Sequence, residues 1–377
     1  MSHTKIASIC ISVHTLESGG GVQERRVMLA NYFYKNGYDV TILVPSQPKN
    51  IIDSINPGIK IVILNKMVDR QMLHMFSFRK MYGFFKENSF DYLLVSTPTH
   101  TFITVKAHKL AGGSAKTVAS VHGTSRFVGG FKQRVASFIT PIVIRSVAKD
   151  VSSFVGVSQG VVDELKVILK DSIELNVIYN PVITDELLND EAQEPDSELR
   201  KKLFCNNEHK HIIVTVGRLT EQKGIDLLIK SVANLDDNYV LVVVGGGPLE
   251  ATLKKLSVSL GISNRVIFTG YKSNVLDYLK SCDCFALASR YEGFGNVLVE
   301  ALYAQKPIVS SDCPHGPDEV LKYGKYGKLI NINDKNFIVN FSKAIVDGVN
   351  KKDNINDRWR DFTVESSANS YLQLFIK

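Results

Sequence analysis

The sequence predicts an α/β protein made of two units, each a parallel sheet covered by helices. Three observations carry this. The chain has 377 residues, too many for one ordinary core and suited to two domains of about 150–200 residues. Short β-branched runs alternate with amphipathic segments, the pattern of strand–helix–strand crossovers. That alternation stops at Asn180-Pro181 and restarts after a polar, acidic stretch at 184–205. The expected division is therefore residues 1–181 and residues 182–358.

Taken in order, Ile6–Val13 reads as the first strand. Its apolar run is too short and too β-branched for an export signal, and it leads into the Gly-rich loop Glu17–Gly21. Val22–Asn36 reads as a helix packed through Val22, Val27, Leu29, Ala30, Phe33 and Tyr34 and closed by Gly37. Strands follow at Tyr38–Val44, Ile59–Leu64, Tyr92–Ser96, Lys116–Val121, Phe154–Val157 and Asn176–Ile178. The second series is Ile212–Val216, Val240–Val244, Val266–Phe268, Cys284–Ala288 and Pro307–Ser310, with helices such as Ile225–Leu235 and Pro248–Leu260 between them. Trp359–Phe375 reads as helical. Ligands of such sheets bind beyond the carboxyl ends of the strands, and two halves facing each other would form a cleft for one.

Composition narrows the function. Apolar residues make up 44% of the chain, yet no apolar run approaches the ~20 residues of a membrane span, so a soluble protein is expected. The five cysteines, an odd number, fit a reducing compartment and hence the cytoplasm. Cys282-x-Cys284 and Cys313-x-His315 have metal-ligand chemistry, but the first pair falls in an expected buried strand, so no metal site is assigned. Residues 1–180 carry 21 Lys and Arg against 12 Asp and Glu, a net +9, and the remainder 24 against 26, a net −2. A basic first half suggests an anionic partner: phospholipid, a lipid-linked diphosphate or nucleic acid. Two basic–apolar stretches, 66–86 and 126–149, the latter with Phe138, Ile139 and Ile142, have the make-up of membrane-surface segments.

The sharpest feature is Glu292-Gly-Phe-Gly-Asn-Val-Leu-Val-Glu300, between a strand and a helix. Gly293 and Gly295 permit a tight turn. The amides near Asn296 and Val297 open a helix, a ready anion site. Glu300 sits one turn further, about 6 Å along the axis, the distance from a diphosphate to its ribose. A carboxylate only accepts hydrogen bonds, which suits two neighbouring hydroxyls. Glu292 lies on the loop side, where a sugar on the diphosphate would be.

With its seven-residue spacing and internal Gly-Phe-Gly, this stretch resembles the E-x7-E motif of the retaining glycosyltransferases of family 4. These have the GT-B fold, two Rossmann-like domains with parallel sheets facing an interdomain cleft. The resemblance covers most of the chain, with its specific motifs in 212–321. It implies an acceptor-side first domain, a donor-binding second domain and a C-terminal helix, about 359–377, that crosses back to the first. Gly217-Arg218 to Lys223-Gly224 is similar to the family's G-R-x4-K-G, which implies that Arg218 and Lys223 hold the donor diphosphate. Two fixed cations there would stabilise the leaving group as its charge grows.

The same resemblance places Gly293, Phe294, Gly295, Asn296 and Val297 at the phosphates, Glu300 at the ribose and Glu292 at the donor sugar. Val244–Pro248 resembles G-x-G-P and brings in Gly246, with Pro248 expected to start a helix. Tyr271 and Lys272 fall beside the nucleobase. Gly20 and Gly21 belong to the loop facing donor and acceptor, and His122, before Gly123, matches the residue that touches the donor sugar near the reacting carbon. His14 and His100 also lie near strand ends. Ser311–Glu319 resembles the S-D-x3-G-P-x-E of bacterial members that build lipopolysaccharide, capsule and lipid-linked oligosaccharides.

The implied activity is retaining, metal-independent transfer of a sugar from a nucleotide sugar to a glycan hydroxyl, on the cytoplasmic face of the inner membrane. A UDP-hexose or UDP-N-acetylhexosamine is the expected donor. The chain has no Asp-x-Asp of the metal-using glycosyltransferases and no G-x-G-x-x-G of nicotinamide dehydrogenases. A nucleotide-sugar epimerase of the same fold and a basic nucleic-acid-binding protein are the alternatives.

Overall fold

The structure, a computed structural model, describes residues 6–17, 21–48, 50–65, 73–123, 131–170, 173–189, 199–201, 211–350 and 357–376. The chain divides into two compact units: residues 1–184 with 363–377, and residues 185–362.

Unit 1 runs β1 (Ser8–Ser12), α1 (Gly21–Lys35), β2 (Asp39–Val44), β3 (Lys60–Ile63), α2 (Leu73–Glu87), β4 (Tyr92–Ser96), α3 (Pro98–Leu110), β5 (Lys116–Val121), α4 (Phe131–Val147), β6 (Ser153–Gly156), α5 (Gln159–Leu169) and β7 (Glu174–Val177). The strands form one parallel sheet in the order β3-β2-β1-β4-β5-β6-β7. Its inner strands are buried along nearly their whole length, as expected of a sheet with helices on both faces. The edge strands β3 and β7 are only half-buried.

Unit 2 runs α6 (Asp185–Asn189), β8 (His211–Val216), α7 (Ile225–Ala233), β9 (Tyr239–Val244), α8 (Glu250–Ser259), β10 (Val266–Gly270), α9 (Val275–Ser281), β11 (Cys284–Leu287), α10 (Asn296–Tyr303), β12 (Ile308–Asp312), α11 (Pro317–Val320), β13 (Lys328–Asn331) and α12 (Phe337–Asn350). Its parallel sheet has the order β10-β9-β8-β11-β12-β13.

The expected terminal helix is two pieces. A 3-10 segment, Arg358–Phe362, ends unit 2, and α13 (Val364–Ile376) belongs to unit 1. Thr363 sits between them, in a parallel bridge to Ile183, and the Val364 amide donates to Ile183 O at 2.9 Å. α13 contributes Ala368, Tyr371, Leu374 and Phe375 to the core, with Phe375 stacked on Tyr92 at 4.6 Å.

Two other boundaries move for local reasons. Pro248 does not start its helix. The Leu249 amide is spent on Leu219 O at 3.1 Å, so α8 opens at Glu250. Pro307 has no N–H for a ladder and stays outside β12.

Candidate active site

In unit 2 the strand order reverses between β8 and β11. Their exits emerge side by side where open parallel sheets bind ligands. β8 leads through Gly217, Arg218 and Leu219 to a 3-10 turn, Glu221–Lys223, and β11 leads through Ser289–Gly295 to α10.

The two exits are bolted together. The Arg290 amide donates to Gln222 O at 2.7 Å, Gln222 Nε2 to Tyr291 O at 3.1 Å, and Arg290 Nη1 to Glu221 O at 2.8 Å. Arg290 also grips both carboxylate oxygens of Asp226, at 2.8 and 2.7 Å. Burial pushes the Asp226 carboxyl up, but the Arg290 hydrogen bonds and charge outweigh it and leave the group below its usual range. At the centre, Lys223 Nζ donates to Glu292 Oε1 at 2.6 Å, and Ser289 Oγ donates to the same oxygen at 2.6 Å. Glu292 Oε2 has no hydrogen-bond partner among the described residues. The neighbouring Cys313 thiol is pushed up to about 12, chiefly by burial and then by the Glu292 charge, so it stays protonated.

Glycines let these loops touch through their backbones. Gly224 has φ 60, and a Cβ there would lie 1.9 Å from Ala288 O. A Cβ on Gly245 would lie 2.0 Å from Gly217 O, and one on Gly247 2.6 Å from Leu219 N. Backbone bonds close the same contacts: Gly217 N to Val244 O, Leu219 N to Gly246 O and Gly245 N to Gly270 O, each 2.9–3.0 Å.

At the entrance of α10, Gly295 caps the helix with φ 90 and the Leu298 amide bonds back to Gly295 O at 2.9 Å. The Val297 amide has no acceptor inside the helix. Glu300 lies one turn on and is half-buried. Beneath this turn, the Glu292 amide donates to Pro314 O at 3.1 Å, and Gly316 passes so close that a Cβ would stand 2.3 Å from Phe294 O.

In unit 1, His122 follows the end of β5 and is half-buried. Its Nε2 lies 2.9 Å from Nη2 of Arg26, a fully buried residue of α1, and 3.2 Å from Ser120 Oγ. Burial, helped by the Arg26 charge, holds the imidazole well below its ordinary pKa.

A family model described as Glycosyltransferase Family 4 matches residues 19–186, and one described as Glycosyl transferases group 1 matches residues 196–360. Both halves of the chain thus match glycosyltransferase family models, the first of them that of family 4. Among its relatives is the N-acetylgalactosamine-N,N'-diacetylbacillosaminyl-diphospho-undecaprenol 4-alpha-N-acetylgalactosaminyltransferase of Campylobacter jejuni. That protein is 33% identical over 135 residues, 36% of this chain and 37% of the relative. The lipopolysaccharide core biosynthesis glycosyltransferase LpsE of Rhizobium meliloti is 30% identical over 168 residues, 43% of this chain and 49% of the relative. The aligned stretches thus span less than half the length of these curated relatives. Anabaena HepE, solved in complex with UDP, superposes with a TM-score of 0.77 over 98% of this chain and 99% of its own, at 18% identity. The fold is GT-B.

The structure brings Lys223, Glu292 and the α10 entrance together. It adds local detail to several sequence expectations there. Lys223 and Glu292, read as separate ligand contacts, are partners of each other. Phe294 is 2% exposed and packs edge-on against Phe362 at 5.4 Å, so only its backbone can meet a ligand. A Cβ on Gly246 would meet nothing within 4 Å, so the packing demands glycine at its two neighbours rather than at Gly246. Arg218 is exposed, with no side-chain partner among the described residues, and Tyr271 is exposed as well, with Lys272 half-buried beside it. Gly21 begins α1; Gly20 lies outside the described residues.

Sequence reasoning missed Arg290, Asp226 and Gln222, which hold the site's halves together across separations of 64–69 residues, and Ser289, which bonds Glu292 within its own loop. It also missed a cavity of about 350 Å³ in unit 1, at the reversal between β1 and β4, where His14 and His100 meet Thr97, Thr99, Ser77 and Met81. Of the two basic–apolar stretches, the first turns Met81 and Phe85 inward. The second leaves Phe138, Ile139 and Ile142 exposed on α4 at 78, 49 and 64%. Residues 66–72 and 126–130 of these stretches lie outside the described residues.

Proposed function

We propose that the protein is a retaining, metal-independent glycosyltransferase that moves a hexose or N-acetylhexosamine from a UDP-linked donor to a hydroxyl of a lipid-linked or surface glycan. The observation that carries this reading is the Lys223–Glu292 pair, 2.6 Å apart, with Glu292 on the loop that leads into α10 and Arg218 on the same β8 exit as Lys223. Arg218 and Lys223 neutralise the departing diphosphate, the charge role that a metal fills in other glycosyltransferases. The amides from Gly293 to Val297 take phosphate oxygens, and Gly246, Tyr271 and Lys272 border the nucleoside. Glu300 accepts from the ribose hydroxyls, and Glu292 uses Oε2 for a hydroxyl of the donor sugar while Oε1 stays with Lys223 and Ser289. His122 supports the reacting centre, and Gly20 and Gly21 border it. Retention follows from same-face attack, with the leaving phosphate taking the acceptor's proton. The acceptor belongs to unit 1, where the His14–His100 cavity supplies imidazole and hydroxyl groups.

A lipid-linked acceptor also gives the exposed face of α4 a purpose. Phe138, Ile139 and Ile142 would enter the interface of an anionic membrane, with the net positive charge of residues 1–180 holding them there. On this reading the protein works in the cytoplasm, peripheral on the inner membrane.

Thermal shift against UDP-, GDP- and ADP-sugars, followed by NMR of the product's anomeric coupling in the presence of EDTA, tests the whole reading. A UDP-sugar should raise the melting temperature with concentration, and transfer should keep the donor's anomeric configuration. Inversion, loss of activity with EDTA, or no shift with any nucleotide sugar would each refute the corresponding part.

A further inference from the structure

We propose that Arg26 is a positioning residue for the transfer reaction: it fixes His122 as the neutral tautomer carrying its proton on Nδ1, and Tyr371 of α13 holds Arg26 in that pose. The catalytic consequence rests on the reading of His122 given above; the tautomer does not.

A guanidinium has donors only and keeps its charge. At 2.9 Å from Arg26 Nη2, His122 Nε2 makes a hydrogen bond only by offering its lone pair. The ring proton is then on Nδ1. A protonated ring has no lone pair to offer and would set two cations against each other. Ser120 Oγ, 3.2 Å from the same nitrogen, also meets an acceptor.

Arg26 itself is deliberately housed. Nε donates to Ser96 Oγ at 2.7 Å, Nη1 donates to the Tyr371 hydroxyl at 3.3 Å, and the guanidinium lies 5.4 Å from the centre of the Tyr371 ring. Arg26 is 2% exposed, and no carboxylate pairs with it among the described residues. A buried cation without a counter-ion is costly, and a purely structural role would be met better by an apolar side chain. What Arg26 does that an apolar residue cannot is keep His122 uncharged and oriented. Among the described residues His122 meets Arg26 from α1 and the neutral hydroxyl of Ser120 on β5, with Ser96 on β4 and Tyr371 on α13 behind them; Arg26 is the charged one.

The consequence is a defined role. His122 serves as a hydrogen-bond donor through Nδ1 and carries no positive charge at neutral pH, so it is not the acid that protonates the leaving group.

The test is a long-range proton–nitrogen NMR correlation on the full chain labelled with 15N-histidine, with His122 assigned from His122→Gln. The wild type should show the Nδ1–H tautomer and no protonation of His122 near pH 6.5, the usual histidine value. Arg26→Gln, which keeps a donor but not the charge, should keep the tautomer and raise the titration. Arg26→Met should lose the tautomer and titrate at about pH 6.5. Transfer assays should then show the acid limb of the kcat profile moved upward to about pH 6.5, a loss of up to roughly fourfold at pH 6, with donor KM unchanged.

A wild-type His122 with its proton on Nε2, or one that titrates normally, overturns the proposal, and this measurement decides even where an Arg26 variant does not fold. If the spectra change as expected and the pH profile does not, the tautomer stands while Arg26 and His122 both lose their place in the reaction. Lack of transfer in the wild type with every nucleotide sugar would instead refute the broader reading.

Discussion

The Lys223–Glu292 corner of unit 2 and the His122 corner of unit 1 lie beyond the carboxyl ends of similar sheets but are built from different material. The first is largely main chain. Gly224, Gly245, Gly247 and Gly316 each bring a backbone within 1.9–2.6 Å of where a Cβ would sit, and amide-to-carbonyl bonds tie the loops. The second is side chain: Arg26 and Ser120 meet one imidazole, and Ser96 and Tyr371 hold Arg26, so two helices and two strands contribute. A corner of backbone is rigid and indifferent to pH, whereas one of side chains can be tuned and can titrate.

The comparison can be broken most forcefully at the cations. Arg218→Ala with Lys223→Ala removes two charge-assisted contacts, roughly 3–6 kcal/mol, so kcat/KM should fall about 10²- to 10⁴-fold; a fully active double mutant in steady-state assays would remove the phosphate assignment. Lys223→Ala alone leaves the Glu292 carboxylate buried beside Ser289, at a stability cost of about 3–5 kcal/mol, and adding Glu292→Gln should restore part of it in urea titrations.

The glycines sharpen the contrast. Gly224→Ala forces a Cβ onto Ala288 O at a left-handed φ and should cost roughly 2–4 kcal/mol. Gly246→Ala, facing open space, should leave stability within about 0.5 kcal/mol while lowering donor affinity. Equal effects from the two would mean that the loops relax freely. Glu300→Ala should weaken donor interaction by roughly 1.5–3 kcal/mol, about 10- to 150-fold, without unfolding the chain; unchanged donor KM and kcat would move the ribose elsewhere.

The most gradual effect is acid sensitivity, expected in unit 1. Burial, with the Lys109 charge, lowers His108 to about 4, and His122 is lowered too. The unfolded chain takes up these protons first, so stability is complete above about pH 6.5 and falls as pH drops toward 4, by at most about 1.4 kcal/mol per unit from His108. His108→Gln should flatten that slope in pH-dependent melting. An unchanged slope would assign the acid sensitivity to other groups.

What could be read from the sequence follows the same division. β4 and β5 were legible to the residue, because Tyr92–Ser96 and Lys116–Val121 are short runs of small and apolar residues buried in the middle of a sheet. β13 and α12 were not singled out. β13 is a half-exposed edge strand in which only Leu329 and Ile330 are apolar, and α12 lies beyond the motifs. The grouping of Lys223 with Glu292 and the α10 entrance was implied by the resemblance of two loops to family motifs, in which glycine and charge stand at fixed offsets. Arg26 beside His122 was not. Its contacts span 70 to 345 residues, and nothing local distinguishes a buried arginine from its neighbour Arg25 on an amphipathic helix.

α13 has a consequence for how the protein is made. Tyr371, Leu374 and Phe375 complete the core of unit 1, but they are translated only after all of residues 185–362. Domains tend to fold as units while the chain emerges from the ribosome. Unit 2 can therefore close first, and the half of the enzyme begun earliest must wait for the last helix before Arg26 has Tyr371 to lean on.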